Sequence, residues 1–562
     1  MLWQNRLSLS YSLSFYLCSR KEIYLMNNQR KIFIYLPIIL AIILVIGIWI
    51  GSRLSYVSSG KTETVIFNKP DDQDKLNNII TYVLQDYVDS VSRTKLTEDA
   101  IYGILDSLDP HSQYIPAEDF HEVEDQLNSN FEGIGVQFRM EKDTIFVIRT
   151  IQGGPSEKAG VMAGDRIVKI NDTVVAGIGF TSRDVVKKLK GPRGTQVKVG
   201  IARHGVKDLI DFTLVRDVIP TYSIDIAYMV NDSVGYIKLS RFAENTYTEF
   251  VEALTRLVAQ GMTDLILDLR GNVGGFLTAA IKISDEFLPD KELIVYTEGH
   301  NRPNNYAYAT AKGLFETQPL VILIDEGSAS ASEIVAGAVQ DNDRGTIVGR
   351  RSFGKGLVQE QMDFPDGSAL RLTVARYHTP TGRNIQRSYK GGTAKYYEEL
   401  HERYVDGEME NPDSIAFADT IKFYTPKGKV VYGGGGIMPD VYVSLKKNEK
   451  DVFYNRLVNQ GILFQFAFEY TDNNRAEMAK YTTPDDFIKS FRVSDQLYAE
   501  LLAYARKEGV AFTPQEASDS ERKVRILLKA YIGRNLLDDP GFYPVYQEID
   551  DIFQSGLSVI EK

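Results

Sequence analysis

A single cysteine, Cys18, stands in 562 residues, and it lies ahead of the only long apolar run in the chain. Whatever follows that run holds no thiol, which excludes disulfides, a cysteine nucleophile and cysteine-ligated zinc from the bulk of the protein. Histidine is nearly as scarce, at six, and no His-Glu-x-x-His pair occurs, so the helix-borne zinc site of metallohydrolases is missing. There is no internal repeat and no long low-complexity tract. Positive charge is also in deficit. The formal charge is −11, and residues 62–562 carry 57 basic against 74 acidic side chains, a balance that disfavours nucleic acid as a partner.

Composition otherwise sits near the globular average, with 43% hydrophobic and 25% charged residues, which argues against a disordered, fibrous or multi-span membrane chain. At roughly 100–200 residues per domain, this length predicts three to four domains. The exception is Ile32–Gly51, uncharged and mostly apolar, about the 20 residues a helix needs to cross the bilayer core. Arg20, Lys21, Arg30 and Lys31 precede it against one acid, Glu22, while Arg53 and Lys61 follow. The positive-inside tendency predicts an uncleaved anchor with the N-terminus in the cytoplasm and everything after residue 52 outside. A cleaved signal peptide is the alternative, but its apolar stretch usually spans about 7–15 residues before a small-residue cleavage site. Residues 1–25 are poor in acids and lack a helical stripe. Met26 opens a charged lead-in and is a second candidate start, one that would leave Cys18 out.

Beyond a polar linker, apolar residues recur at helical spacing through Leu76, Ile79, Ile80, Val83, Leu84 and Tyr87, and again through Ile101, Ile104, Leu105 and Leu108. Pro110, in Leu108-Asp-Pro-His-Ser-Gln-Tyr114, ends this helical segment. Short alternating runs then predict strands at Ile145–Ile148, Arg166–Ile170, Gln196–Ala202 and Ile210–Val215, with helices near Ser156–Gly160 and Ser182–Lys190, in a separate β-rich module. From about 217 to 386 strands alternate with helices. Gly235–Leu239, Leu265–Leu269, Leu320–Ile324 and Thr346–Val348 read as buried strands, and Tyr247–Gln260, Leu277–Phe287 and Ala331–Val339 as helices, which implies a layered α/β sheet. Gly367–Arg376 adds a strand, and Tyr432–Ser444 closes the region. Residues beyond 445 read as helical, charged and rich in aromatics, without a motif.

The densest chemical signal is Asp325-Glu-Gly-Ser-Ala-Ser-Ala-Ser-Glu-Ile-Val-Ala-Gly-Ala338, followed by Ser352-Phe-Gly-Lys-Gly-Leu-Val-Gln359. Small residues leave a strand and enter a helix, a turn that can present a serine hydroxyl where free N–H groups favour developing negative charge. Ser330 or Ser332 could equally be a helix cap. A nucleophilic serine needs a base, and neither a nearby histidine nor a G-x-S-x-G elbow is present. Lys355 lies between two glycines, where a tight, partly apolar site would lower its pKa and leave an amine able to take the serine proton. A surface lysine in a flexible turn is the plain alternative.

Together these stretches resemble the carboxy-terminal processing peptidases, tail-specific serine endopeptidases with a Ser-Lys dyad. The matching positions are Ser328-Ala-Ser-Ala-Ser-Glu-Ile334, Gln340-Asp341, Arg344, Gly349, Phe353-Gly-Lys-Gly356 and Gln359. The resemblance implies Ser330 as nucleophile, Lys355 as general base and Gln359 as the residue that orients the lysine, with Ser328 and Ser332 structural. Asp268-Leu-Arg-Gly-Asn-Val-Gly-Gly275 is similar to the family's strand-end glycine motif, with Val273 in place of the usual proline. This implies an oxyanion hole at Gly274 or Gly275 plus Ala331. His111 and His378 tempt as bases but fall in family-like structural stretches.

The β-rich module resembles a PDZ domain. Gly133-Ile-Gly-Val136 matches its carboxylate-binding loop, and Gly153 to Ile167 the stretch that follows. Gly133, Ile134, Gly135 and Val136 are therefore the expected peptide-binding residues, with the peptide adding as a strand to the sheet edge.

The expected fold is multidomain α/β: a cytoplasmic N-terminus (1–31), transmembrane anchor (32–51), linker (52–74), N-terminal helical segment (75–130), inserted PDZ domain (131–216), peptidase core (217–445) and helical C-terminal region (446–562). The resemblance implies a serine endopeptidase of the bacterial envelope, acting in the periplasm or extracytoplasmic space on unfolded or tail-exposed proteins, with no metal or nucleotide cofactor. A homo-oligomer or an adaptor remains open. Two rival readings keep the same fold, a catalytically silent PDZ scaffold and a carrier of small hydrophobic ligands.

Overall fold

Strands that alternate side chains between two faces and are buried on both must be covered on both, and the central sheet shows how. In this computed structural model, which describes residues 41–46, 72–125, 128–141, 143–415, 421–445 and 449–562, six strands run in the order Ile224–Met229, Val234–Leu239, Asp264–Asp268, Leu320–Ile324, Thr346–Gly349 and Val441–Tyr442. The first pair is antiparallel and all others are parallel. Ile237, Leu239, Leu265, Leu267, Ile322, Ile324 and Ile347 project to one face, where helices Thr246–Ala259, Leu277–Asp285 and Ala331–Asp341 cover them. Tyr236, Ile266, Val321, Leu323 and Val348 project to the other, against Ile552 and Phe553 of the last helix, Asp551–Ile560. Each such side chain contributes about 1.5–3 kcal/mol on burial, so this sheet fixes where the strand ends point.

A second, antiparallel sheet joins Gln113–Ile115, Ala369–His378, Leu293–Gly299 and Arg302–Tyr308, with Leu357–Asp363 also paired to Ala369–His378. The strand expected over Gly367–Arg376 thus belongs to this sheet rather than to the parallel one.

The β-rich module hangs on a neck formed by the antiparallel pair Asn130–Gly133 and Asp217–Pro220. Its own sheet runs Val136–Glu141, Thr144–Thr150, Arg166–Ile170, Gln196–Ala202 and Ile210–Val215, with helices Pro155–Ala159 and Ser182–Leu189. Thr181 caps the second helix, its hydroxyl accepting from the Asp184 N–H. Residues 449–562 are helical around their own core of Phe453, Leu463, Phe487, Leu501, Leu528 and Val545.

Helices Asp72–Asp86 and Arg93–Asp106 match the apolar stripes at the N-terminal side. The expected anchor Ile32–Gly51 lies outside the described residues apart from helical 41–46, and Cys18 and Met26 lie outside them altogether. Among the described residues no helix is long and apolar enough to cross a membrane.

Candidate active site

Strands Asp264–Asp268 and Leu320–Ile324 are parallel neighbours, so the loops leaving their C-terminal ends emerge side by side. The first carries Gly271–Gly275 and the second Asp325–Ser330. Hydrogen bonds lace them together: Ala329 N–H donates to Asn272 O (3.0 Å), as does the Ser332 hydroxyl (2.8 Å), while the Ser328 hydroxyl donates to Leu269 O (2.9 Å). Ser328 and Ser332 are buried in these structural bonds.

Ser330 stands at the N-terminus of helix Ala331–Asp341 with φ 55° and ψ −112°, a conformation costing a non-glycine residue roughly 1–3 kcal/mol. Gly274 lies against it. A Cβ there would stand 2.8 Å from both Ala329 O and Ser330 Cβ and 2.9 Å from Ala331 N, so only glycine permits the approach. The Gly274 N–H, however, donates to Asn272 Oδ1 (2.9 Å). Of the two alternatives, Gly274 and Gly275, the first thus already has its N–H engaged. Gly275 and Ala331 are the two expected donors without this commitment. Val273 is exposed.

The second half of the expected site comes from the loop that leads into the second sheet. Lys355 precedes strand Leu357–Asp363, and its Nζ donates to Gln359 Oε1 (2.9 Å). The Gln359 amide in turn donates to His111 O. Asp109 fixes the turn that carries that carbonyl: it accepts from His111 N (2.8 Å), Ser112 N (2.9 Å) and the Ser112 hydroxyl (2.6 Å). The His111 ring points to Tyr396 Oη (2.9 Å), and burial, with Lys355 nearby, pushes its pKa down to about 4. His378 lies elsewhere, stacked on Tyr296 with its Nδ1 3.1 Å from Gly382 O.

Burial pushes the Lys355 ammonium below its ordinary pKa and Arg371 adds repulsion, while Glu333 and Asp109 pull back in part.

Two side chains to which the sequence assigns no role tie the Ser330 turn to Lys355. Glu333, fully buried in the first turn of the Ser330 helix, accepts from Ser330 N (2.8 Å), the Ser352 hydroxyl (2.5 Å), Gly354 N (2.7 Å) and Lys355 N (2.9 Å). Burial pushes its carboxyl up to about 7 against those bonds. The Ser-x-x-Glu spacing of a capping box was the available signal. Tyr377, also buried, places Oη 2.7 Å from Lys355 O and 3.2 Å from Ser330 O, so its one proton serves the nearer carbonyl. Tyr377→Phe is expected to cost about 1–2 kcal/mol in thermal or denaturant unfolding and to lower kcat more than it raises KM, because a loosened Lys355 misplaces the base rather than the substrate.

In the β-rich module, Gly133 pairs with Asp217 at the neck and Val136 begins the sheet-edge strand. Ile134 is buried in the module's core, and its carbonyl accepts both the N–H (3.0 Å) and the hydroxyl (2.6 Å) of Ser156. Its side chain is therefore a packing group, and any contact with a ligand falls to its backbone. The Gly135 carbonyl accepts from Ile151 N (2.9 Å).

Residues 233–395 match peptidase family S41, 133–214 match the PDZ domain, and 453–538 match a family of unknown function. A carboxy-terminal-processing protease of Bartonella bacilliformis is 38% identical over 350 residues, 61% of this chain and 80% of that one. The carboxy-terminal processing protease CtpA of Bacillus subtilis is 35% identical over 56% of this chain and 66% of its own length, and the carboxyl-terminal-processing protease of a Synechocystis strain 36% identical over 52% and 69%. Neither a silent scaffold nor a ligand carrier is favoured by these matches. With a PDZ domain set into an S41 core, the chain belongs to the carboxy-terminal processing serine proteases of peptidase family S41.

Proposed function

We propose that Ser330 is the nucleophile, Lys355 the general base and Gln359 the group that aims the lysine. The observation that carries this reading is the Lys355 amine, mostly buried, lowered in pKa and bonded to Gln359 Oε1 beside the strained Ser330 turn. The neutral amine takes the Ser330 Oγ proton as that oxygen attacks the scissile carbonyl. Negative charge develops on the carbonyl oxygen, for which Ala331 N–H at the helix start and Gly275 N–H are the proposed donors. Lys355 returns the proton to the leaving amine, and water then hydrolyses the acyl-Ser330 ester with the same amine as base. Glu333, Tyr377 and the Asp109 turn act through these groups by holding them still.

The PDZ domain captures a free protein C-terminus, its carboxylate held by backbone N–H groups of Gly133–Val136 and the following residues added along strand Val136–Glu141. Ile32–Gly51 anchors the protein in the inner membrane and places the catalytic part outside the cytoplasm. Fluorophosphonate labelling tests the chemistry: the protein should be labelled and Ser330→Ala should not. Amidating a substrate's C-terminus tests capture, with an expected loss of about tenfold in kcat/KM, one charge-assisted contact. Equal cleavage of acid and amide at subsaturating substrate would remove the tail-reading role. External protease treatment of intact cells and spheroplasts tests the placement.

A further inference from the structure

The helical region after residue 445 touches both ends of this machinery. On the PDZ side, Phe468 meets Phe146 edge to face (centroids 5.9 Å), and Arg139, on the ligand-edge strand Val136–Glu141, lies 4.3 Å over the Phe464 ring. Arg475, paired with Asp472 (2.6 Å), donates to Ala163 O. Next to it Gly164 has φ 89°, and a Cβ there would collide with the Arg475 guanidinium. Arg149 reaches Asp538 (3.4 Å) and Asp539 (3.8 Å). Phe468 is only 9% exposed yet belongs to no core cluster of its own region, so its burial is against the PDZ domain.

On the peptidase side, Asp550 accepts from Arg270 through both oxygens (2.7 and 2.8 Å), and Arg270 also clamps the buried Asp268 (2.6 Å) at the end of the strand that leads to Gly274 and Gly275. Burial pushes Asp268 up, but Arg270 and Lys238 overcome it and hold the carboxyl well below the usual range. Helix Asp551–Ile560 packs so closely on this sheet that a Cβ on Gly556 would stand 2.8 Å from Leu323 Cδ2.

We propose that the C-terminal helical region is a strut whose docking partner is the chain's own PDZ domain, fixing the tail-binding edge relative to the catalytic strand so that a captured C-terminus is presented to Ser330 at a set distance. In the docked arrangement Lys355 meets Gln359 and the Ser330 turn is built. Docking therefore favours cleavage rather than blocking it. The presentation step rests on the tail-reading role proposed above, whereas the docking itself does not.

The test uses the full chain carrying Phe468→Ala with Arg475→Ala, and separately Arg149→Glu, which sets a third carboxylate beside Asp538 and Asp539 without touching a core. Amide exchange in 144–150 and 161–166 should rise about tenfold in both variants, the signature of a lost docking surface. The cleavage ratio of free-acid to amidated tails should fall from about tenfold toward one, while fluorophosphonate labelling stays within about twofold of the parent. Unchanged exchange in both variants would overturn the strut, and so would a rise in cleavage of tailed substrates. If the parent protein itself fails to distinguish acid from amide, the tail-reading role falls and the exchange result alone decides the docking.

Discussion

Ser330→Ala and Lys355→Ala are each expected to lower kcat for protein cleavage by about 10⁴-fold or more, with the double variant no worse than either single one, because a nucleophile and its base fail as a unit. Lys355→Arg should be as inactive as Lys355→Ala: a guanidinium cannot lose its proton near neutral pH and so cannot serve as base. Ser328→Ala should stay substantially active and lose stability instead, since its hydroxyl donates to Leu269 O and accepts from Asp325 N. Stability separates Ser330 from a plain helix cap as well. Its φ of 55° is one that glycine adopts freely, so Ser330→Gly should abolish cleavage while raising Tm, through relief of roughly 1–3 kcal/mol of strain. The measurements are steady-state cleavage of an unfolded protein substrate and thermal unfolding of each variant. An active Ser330→Ala with an inactive Ser328→Ala would move the nucleophile by two positions.

Strands of the central sheet and of the β-rich module were legible because their signal is local. Leu320–Ile324, Gln196–Ala202 and Ile210–Val215 stand where their apolar or alternating runs predict, and helix Ala331–Asp341 extends two residues past its expected end. The strand Arg302–Tyr308 was missed, since its residues are polar and mostly exposed and only pairing with Leu293–Gly299 makes it a strand. Lys355 stands out in the sequence as the expected base, but what makes its site is the strand beginning at Leu357 together with a carbonyl from His111, 248 residues away from Gln359 along the chain. The histidine drew attention for its ring, whereas its contribution is a backbone oxygen. No spacing rule reveals such a use, because any residue carries that oxygen. Glu333 is an intermediate case. Its capping-box spacing is visible, but its bonds to Gly354 and Lys355 depend on how the two sheets meet. The helical C-terminal region shows no motif for the same reason: Phe468, Arg475 and Asp550 acquire meaning only from the surfaces they touch.

The rate of cleavage should climb steeply with pH, in two stages. As the proposed base, Lys355 would work only as the neutral amine, and burial with Arg371 nearby lowers its pKa while Glu333 and Asp109 restrain the shift. Below that lowered pKa the neutral fraction grows about tenfold per pH unit, a slope of one in log kcat/KM. Glu333 adds the second stage. Its four hydrogen-bond donors require a carboxylate, and burial holds its pKa at about 7, so below about pH 7 it takes a proton and one oxygen turns from acceptor to donor toward groups that are themselves donors. The slope should therefore approach two below about pH 7 and return to one above it. The sign for stability runs the opposite way: a carboxyl raised above its unfolded value of 4.5 favours the fold most below 4.5, and that contribution is lost as pH rises through about 7. The enzyme is then expected to be fastest where the Glu333 contribution to stability is spent. Glu333→Gln cannot titrate. Its profile should be slower throughout but keep a slope of one across the acid limb, and its unfolding free energy should lose the decline between about pH 5 and 7. A parent profile flat from about pH 7 to 9 with chemistry limiting, the plateau a histidine base would give, would remove Lys355 as the base.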